Sequence, residues 1–362
     1  MEQAVPDQDH RLFVPHGERL PVLQLFMKFI TNTFPTFHAY NNFRETDYPS
    51  FAAGIISSLS ENFLSLDDAA YCVSLVFQDQ WGVEASSLLE SREAYDNAIQ
   101  GVALACDPAQ NMSKPGFIGA IILLSIYEMR ARTIPDGWLN HARGVEAHME
   151  QLGAPAFRHG LARSCFILFR GFLIASAFRH GQPCFLEERQ WLELSEWIRI
   201  EDSQKTGNDT ELVDIIESVF MELVKFPRYV YEARLLQRAP HNDQMIDLCT
   251  RVLDSRKNLM SQVGWLEYLF NINLLRANHN LRFSAAALTV QMALLHGAEC
   301  AVRLSEDLAI RVTMKPIPPF HVSSGLAQYI DAGHVMHDAA WLDYVACSMG
   351  WVGTRVIDED EP

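Results

Sequence analysis

A chain of 362 residues with 49% hydrophobic side chains is long enough to bury a substantial core, and its composition is not that of a disordered segment. Its 29 Lys and Arg against 45 Asp and Glu give a formal charge of -16, which repels phosphate backbones at long range. Direct nucleic-acid binding would need a local basic patch, and no block of consecutive basic residues supplies one.

The N-terminus, MEQAVPDQDHRL, has neither a basic start nor an apolar stretch, and residues 1–20 read as a flexible arm. Helical periodicity then dominates from about residue 22 to about 348, with no series of alternating strands, so the expected fold is all α. In DGWLNHARGVEAHMEQLG (136–153), Trp138, His141, Ala142, Val145, Met149 and Leu152 recur at spacings of three and four and share one face, while Asn140, Arg143 and Glu146 point elsewhere. Asp136 is placed to cap this helix and Gly153 to end it. Loops are expected at 107–116, 132–137, 180–183, 203–209, 237–243 and 312–325, where Pro, Gly, Asn and Asp cluster.

None of these connections is long or biased enough for an interdomain linker, so residues 21–350 read as a single multi-helix domain, followed by an acidic tail at 351–362. Two segments, CFILFRGFLIASAF (165–178) and FSAAALTVQMALL (283–295), have too few polar residues for a solvated side and are expected at the centre. Amphipathic helices wrapped around them would leave an internal apolar pocket. The cysteines (Cys72, Cys106, Cys165, Cys184, Cys249, Cys300, Cys347) are odd in number and mostly set in apolar runs, as suits core residues of a reducing compartment. With no uninterrupted apolar run of about 18 residues, no membrane span is expected and a cytoplasmic protein is, the nucleus being the alternative.

From about Phe26 to Trp191, and above all in DGWLNHARGVEAHMEQLGAPAF and HGLARSCFILFRGFLIASAFRHGQPCFL, the chain resembles the fungal-specific transcription factor domain. That helical middle region usually follows a zinc binuclear-cluster module, whose six cysteines interleave with basic residues. Here no cysteine precedes Cys72 and nothing upstream is basic, so the resemblance implies the fold and argues against direct DNA reading. The chain is also similar to a group of fungal humulene synthases that lack the usual metal motifs. That resemblance implies a non-standard class I-type cyclase turning farnesyl diphosphate into a humulene-type sesquiterpene, with Mg²⁺ as cofactor and the isoprenoid diphosphate as partner.

Such chemistry needs acids for Mg²⁺, arginines for diphosphate and aromatic walls for a cation. The metal candidates are Asp67 and Asp68 in LDDAAY, and Asp214 and Glu217 in NDTELVDIIE, though neither stretch matches the standard motif. Their plain alternatives are first-turn acids of one helix and a solvated acidic face of another. Arg170 interrupts an apolar run, so an anion must meet it: either a pocket diphosphate or a buried carboxylate such as Glu128. In KFPRYVYEARLL, Pro227 should interrupt the helix and turn Arg228, Tyr229, Tyr231 and Arg234 inward, or leave them at the surface. Arg282 completes the catalytic candidates. Trp265, Tyr268, Phe270, Phe283, Phe172 and Asn280 are the candidate substrate wall, with ordinary core packing as the alternative for each aromatic. Asp331, His334 and Asp338, with His337 beside them, have a spacing that could gather metal ligands or simply form a polar helix face. The rival function is a regulator-derived protein that binds a small ligand or a partner helix without a DNA-binding domain of its own; a homodimer is compatible with either.

Overall fold

The computed structural model describes residues 19–38, 50–59, 64–78, 86–105, 115–205, 210–279, 285–314, 317–323, 326, 340–351 and 353–359. The fold is all α, as expected. Its helices are α1 (Arg19–Thr33), α2 (Phe51–Leu59), α3 (Leu64–Val76), α4 (Ser86–Ala105), α5 (Pro115–Ala131), α6 (Gly137–Leu152), α7 (Gly160–His180), α8 (Arg189–Lys205), α9 (Thr210–Leu223), α10 (Phe226–Arg238), α11 (Asn242–His279), α12 (Ala285–Thr313) and α13 (Ala340–Cys347). A two-stranded antiparallel ribbon pairs β1 (Phe320–Ser323) with β2 (Arg355–Asp358), Phe320 opposite Asp358.

Helix α7 is the axis of the molecule. It touches α2, α5, α6, α10, α13 and β1. From Leu161 to Phe178 its side chains are almost all buried, as its composition predicts. It is long and apolar enough to cross a bilayer, but 94% of that stretch is covered by the rest of the fold, which makes it a core helix. The chain leaves α7 through Gly181 at φ +61, where the Gly181 and Gln182 amides donate to the Phe178 and Ala177 carbonyls; a residue with a side chain is strained in that left-handed geometry.

The second fully buried helix is α5, whose residues from Gly116 to Met129 are all inside. This corrects the expectation for 283–295. Within α12, Thr289 and Met292 face solvent while Val290, Ala293 and Leu294 face inward, so that helix is one-sided. Its apolar residues are not all packed: Met292 lies on the solvent side, 55% exposed, with Thr289.

Helix α6 follows its pattern: Trp138, Ala142, Val145 and Met149 are buried, and Gly153, at φ +74, ends it with its amide on the Met149 carbonyl. The capping expectation is half right. Asp136 occupies the N-cap position, but at φ +55 it makes no side-chain cap, and its carboxylate lies 3.5 Å from Arg179 instead. The expected acidic tail is also corrected: Trp351 is fully buried and residues 355–358 are a paired strand, anchored by Arg311 at 2.6 Å from Asp358. The alternation of RVID was too short to distinguish a strand from a loose end.

The turn before β2 is held by two glycines. A Cβ on Gly171 would lie 2.7 Å from the Met349 Cα, and one on Gly350 would lie 2.2 Å from the Gly171 carbonyl oxygen. The 348–351 turn therefore sits directly on the backbone of α7.

Candidate functional site

The charged groups singled out by sequence are placed first. Arg170 is buried among Phe166 and Phe220, its guanidinium 4.3 Å from the Phe220 ring centre. Its partner is Glu217, fully buried on α9, with Nη1 to Oε2 at 2.5 Å and Nη2 to Oε1 at 2.8 Å. Two candidates assigned to different roles thus satisfy each other. Glu128, the carboxylate suggested for Arg170, instead accepts the Thr133 amide at 3.0 Å and the Thr133 hydroxyl.

The metal set does not assemble. Both oxygens of Glu217 receive the Arg170 guanidinium, and Asp214 is paired with Arg199, which also binds Glu196 at 2.7 Å. Asp67 falls in the first turn of α3, where the helix dipole favours an acid, with Asp68 beside it and both half-buried. Among the described residues no group of three or more His, Cys, Asp or Glu side chains could hold a metal ion. Asp214 and Glu217, already paired with arginines, are not free to add their oxygens to those of Asp67 and Asp68 around Mg²⁺.

Pro227 lies in the first turn of α10, where its missing amide leaves no helical bond unmade, and its consequences differ from the inward turn expected. Arg228 is exposed and pairs with Glu187, while Tyr229 is buried and shares a hydrogen bond with the Ser255 hydroxyl at 3.0 Å. Consecutive helical residues diverge by about 100°, so one faced water and the other the core. The aromatic wall is likewise dispersed. Phe172 is core packing, stacked on Phe169 at 5.3 Å; Phe270 is half-buried; Trp265 and Tyr268 stack on each other at 5.1 Å, 43% and 52% exposed. Asn280, Arg282 and Phe283, with Asp331, His334, His337 and Asp338, lie outside the described residues.

Two charged or polar arrangements escaped the sequence reading. Arg163, 1% exposed, binds Asp202 and Glu201, the latter at 2.6 Å, and joins α7 to α8. On α12, the His296 Nδ1 lies 2.5 Å from the Tyr344 hydroxyl and its Nε2 is 3.8 Å from the Cys300 thiol, which the Arg303 guanidinium approaches at 3.3 Å. That row has a nucleophile, a base and an orienting hydroxyl. Cys300 is only 2% exposed, and the His296–Tyr344 contact ties α12 to α13.

Among the described residues, a pocket of about 120 Å³ lies between α6 and the end of α7. Arg143 and Glu146 come from α6, Ser176 and His180 from α7, and Gln182 from the segment that follows; Leu173, Cys184 and Phe185 form an apolar floor. Burial, reinforced by Glu150, raises the Glu146 carboxyl above the ordinary range against the pull of Arg143. Burial and then Arg143 lower His180. A second concavity, against Phe34, Phe37 and Leu168, is far smaller. The signal for the first was present: a polar pair three residues apart, off the buried stripe of α6, opposite a His-Gly-Gln-Pro loop.

In comparison with known proteins, the chain is 28% identical over 218 residues to an uncharacterized protein of Emericella nidulans, a match covering 59% of this chain and 45% of that relative. The match thus spans just under half of the relative's length. No family model matches the chain, and no solved structure matches it.

Proposed function

We propose that the chain is a regulatory helical domain of the fungal transcription-factor middle-region type, acting through a bound small molecule or a partner helix and not through catalysis. The observation that carries this reading is the Arg170–Glu217 pair. The cation best placed to meet a diphosphate and an acid best placed to hold Mg²⁺ are committed to each other in a dry interior. Breaking such a pair to admit a ligand would strand a buried charge at a cost of about 3–5 kcal/mol.

The cyclase reading rests on resemblance alone. Its substrate needs a hollow of roughly 300 Å³ or more, and among the described residues the pocket at α6 and α7 offers about 120 Å³ with charged walls. The regulatory reading needs no such hollow, and it is compatible with a central helix packed on all sides.

The deciding experiment has two arms. Purified protein incubated with farnesyl diphosphate and Mg²⁺ should yield no hydrocarbon above the protein-free control by gas chromatography. Raising and lowering its level in fungal cells should change reporter transcription. Chelator-sensitive formation of a sesquiterpene with release of pyrophosphate would overturn the proposal.

A further inference from the structure

The walls of the α6–α7 pocket carry opposite charges that are not joined. Among the described residues neither Arg143 nor Glu146 has an ion pair or a side-chain hydrogen bond, although they stand one helical turn apart on α6 and line the same concavity. Arg143 is exposed and Glu146 half-buried, so both stand where a ligand from solvent can reach them.

A simple carboxylic acid entering here would face Glu146, and a simple amine would face Arg143. A ligand bearing both charges meets each with its opposite. The remaining polar groups divide in the same way. The His180 Nδ1–H donates to the Ser176 carbonyl at 2.9 Å, which leaves Nε2 as an acceptor for an ammonium proton. Gln182 contributes an amide that can donate to a carboxylate. The floor of Leu173 and Phe185 favours an apolar side chain.

Size narrows the class. A buried cavity of about 150 Å³ accepts the six carbons of benzene, so 120 Å³ encloses about five non-hydrogen atoms of a ligand, with a carboxylate on the exposed Arg143 held at the rim. We infer that the pocket between α6 and α7 is a binding site for a small apolar α-amino acid, its carboxylate on Arg143 and its ammonium on Glu146. This deepens the regulatory reading by naming the class of effector, and the two can fail separately: reporter effects can persist without amino-acid binding, and binding can occur without them.

The test uses the full chain and three probes that share one branched apolar group: L-valine, 3-methylbutanoate, which lacks the ammonium, and 2-methylpropylamine, which lacks the carboxylate. Ligand-observed NMR and calorimetry at millimolar concentrations should show L-valine binding at least about tenfold more tightly than either analogue, because each leaves one charge unmet. Arg143→Gln and Glu146→Gln should each weaken L-valine about tenfold, while Arg189→Gln, in an exposed pair with Glu193, should leave it unchanged. The His180 ring resonances should shift on addition of L-valine and give a readout independent of the variants' stability. Absence of L-valine binding, equal binding of the three probes, or unchanged binding in both pocket variants overturns the assignment.

Discussion

Arg170 and Glu217, 47 residues apart in the chain, meet in the interior through two parallel hydrogen bonds, Nη1 to Oε2 and Nη2 to Oε1. The pair clamps α7 to α9 beneath the rings of Phe166 and Phe220. A forked guanidinium matched to a carboxylate fixes orientation as well as distance, which a lysine could not do.

Removing one partner should therefore be far worse than removing both. Glu217→Gln is expected to lower unfolding stability by about 3 kcal/mol, and the double change Arg170→Met with Glu217→Leu to recover most of that loss. Urea denaturation of the two singles and the double measures the coupling. Additive losses would show that the pair is not a unit.

The Gly171 contact predicts a contrast between two Gly→Ala changes. Gly171→Ala drives a methyl into the Met349 backbone and should destabilise by about 1–3 kcal/mol. Gly264→Ala, in α11 with open space around it, should stabilise by about 0.5–1 kcal/mol through helix propensity. Denaturation midpoints of the two variants check both signs.

His148 on α6 is buried against Phe117, its ring 4.7 Å from that ring, and neither nitrogen has a hydrogen-bond partner among the described residues. Burial lowers its pKa below the ordinary 6.5. The unfolded chain thus takes up this proton at higher pH than the native one, so stability falls as pH drops below about 6.5, until the lower folded value is passed. His148→Leu should remove that component. Thermal unfolding at pH 7.5 and pH 5.5 should show a smaller acid loss in the variant than in the parent.

Five of the six described cysteines are buried, and Cys249 alone of these is half-exposed. Thiol titration of the native protein should find Cys249 reacting well before Cys72, Cys165, Cys184, Cys300 and Cys347, and Cys249→Ser should remove one fast equivalent. Simultaneous reaction of all thiols would mean that the native core opens readily.

Trp265 and Tyr268 stack on each other at the outer face of α11. Replacing Trp265 by alanine should change stability by no more than about 0.5–1 kcal/mol, the worth of an exposed aromatic contact. A core aromatic such as Phe172 should cost about 3–5 kcal/mol.

Helical periodicity alone determined the all-α fold, the face that α6 buries, the glycine that ends it, and the burial of α7, because those features depend on spacings of three and four within one segment. The expectation that Arg170 must meet an anion was equally local, since a charge inside CFILFRGFLIAS cannot stand alone. Which anion it meets was not local. Glu217 belongs to a helix whose own amphipathic pattern reads as well with that acid solvated, and only the crossing of α7 and α9 placed it inside. The same is true of the close approach of Gly171 to Gly350, the pairing of β2 with β1, and the pocket where Arg143 and Glu146 face His180. Each joins residues on different elements, and a one-dimensional pattern records what a residue must bury or expose without recording whose surface will cover it.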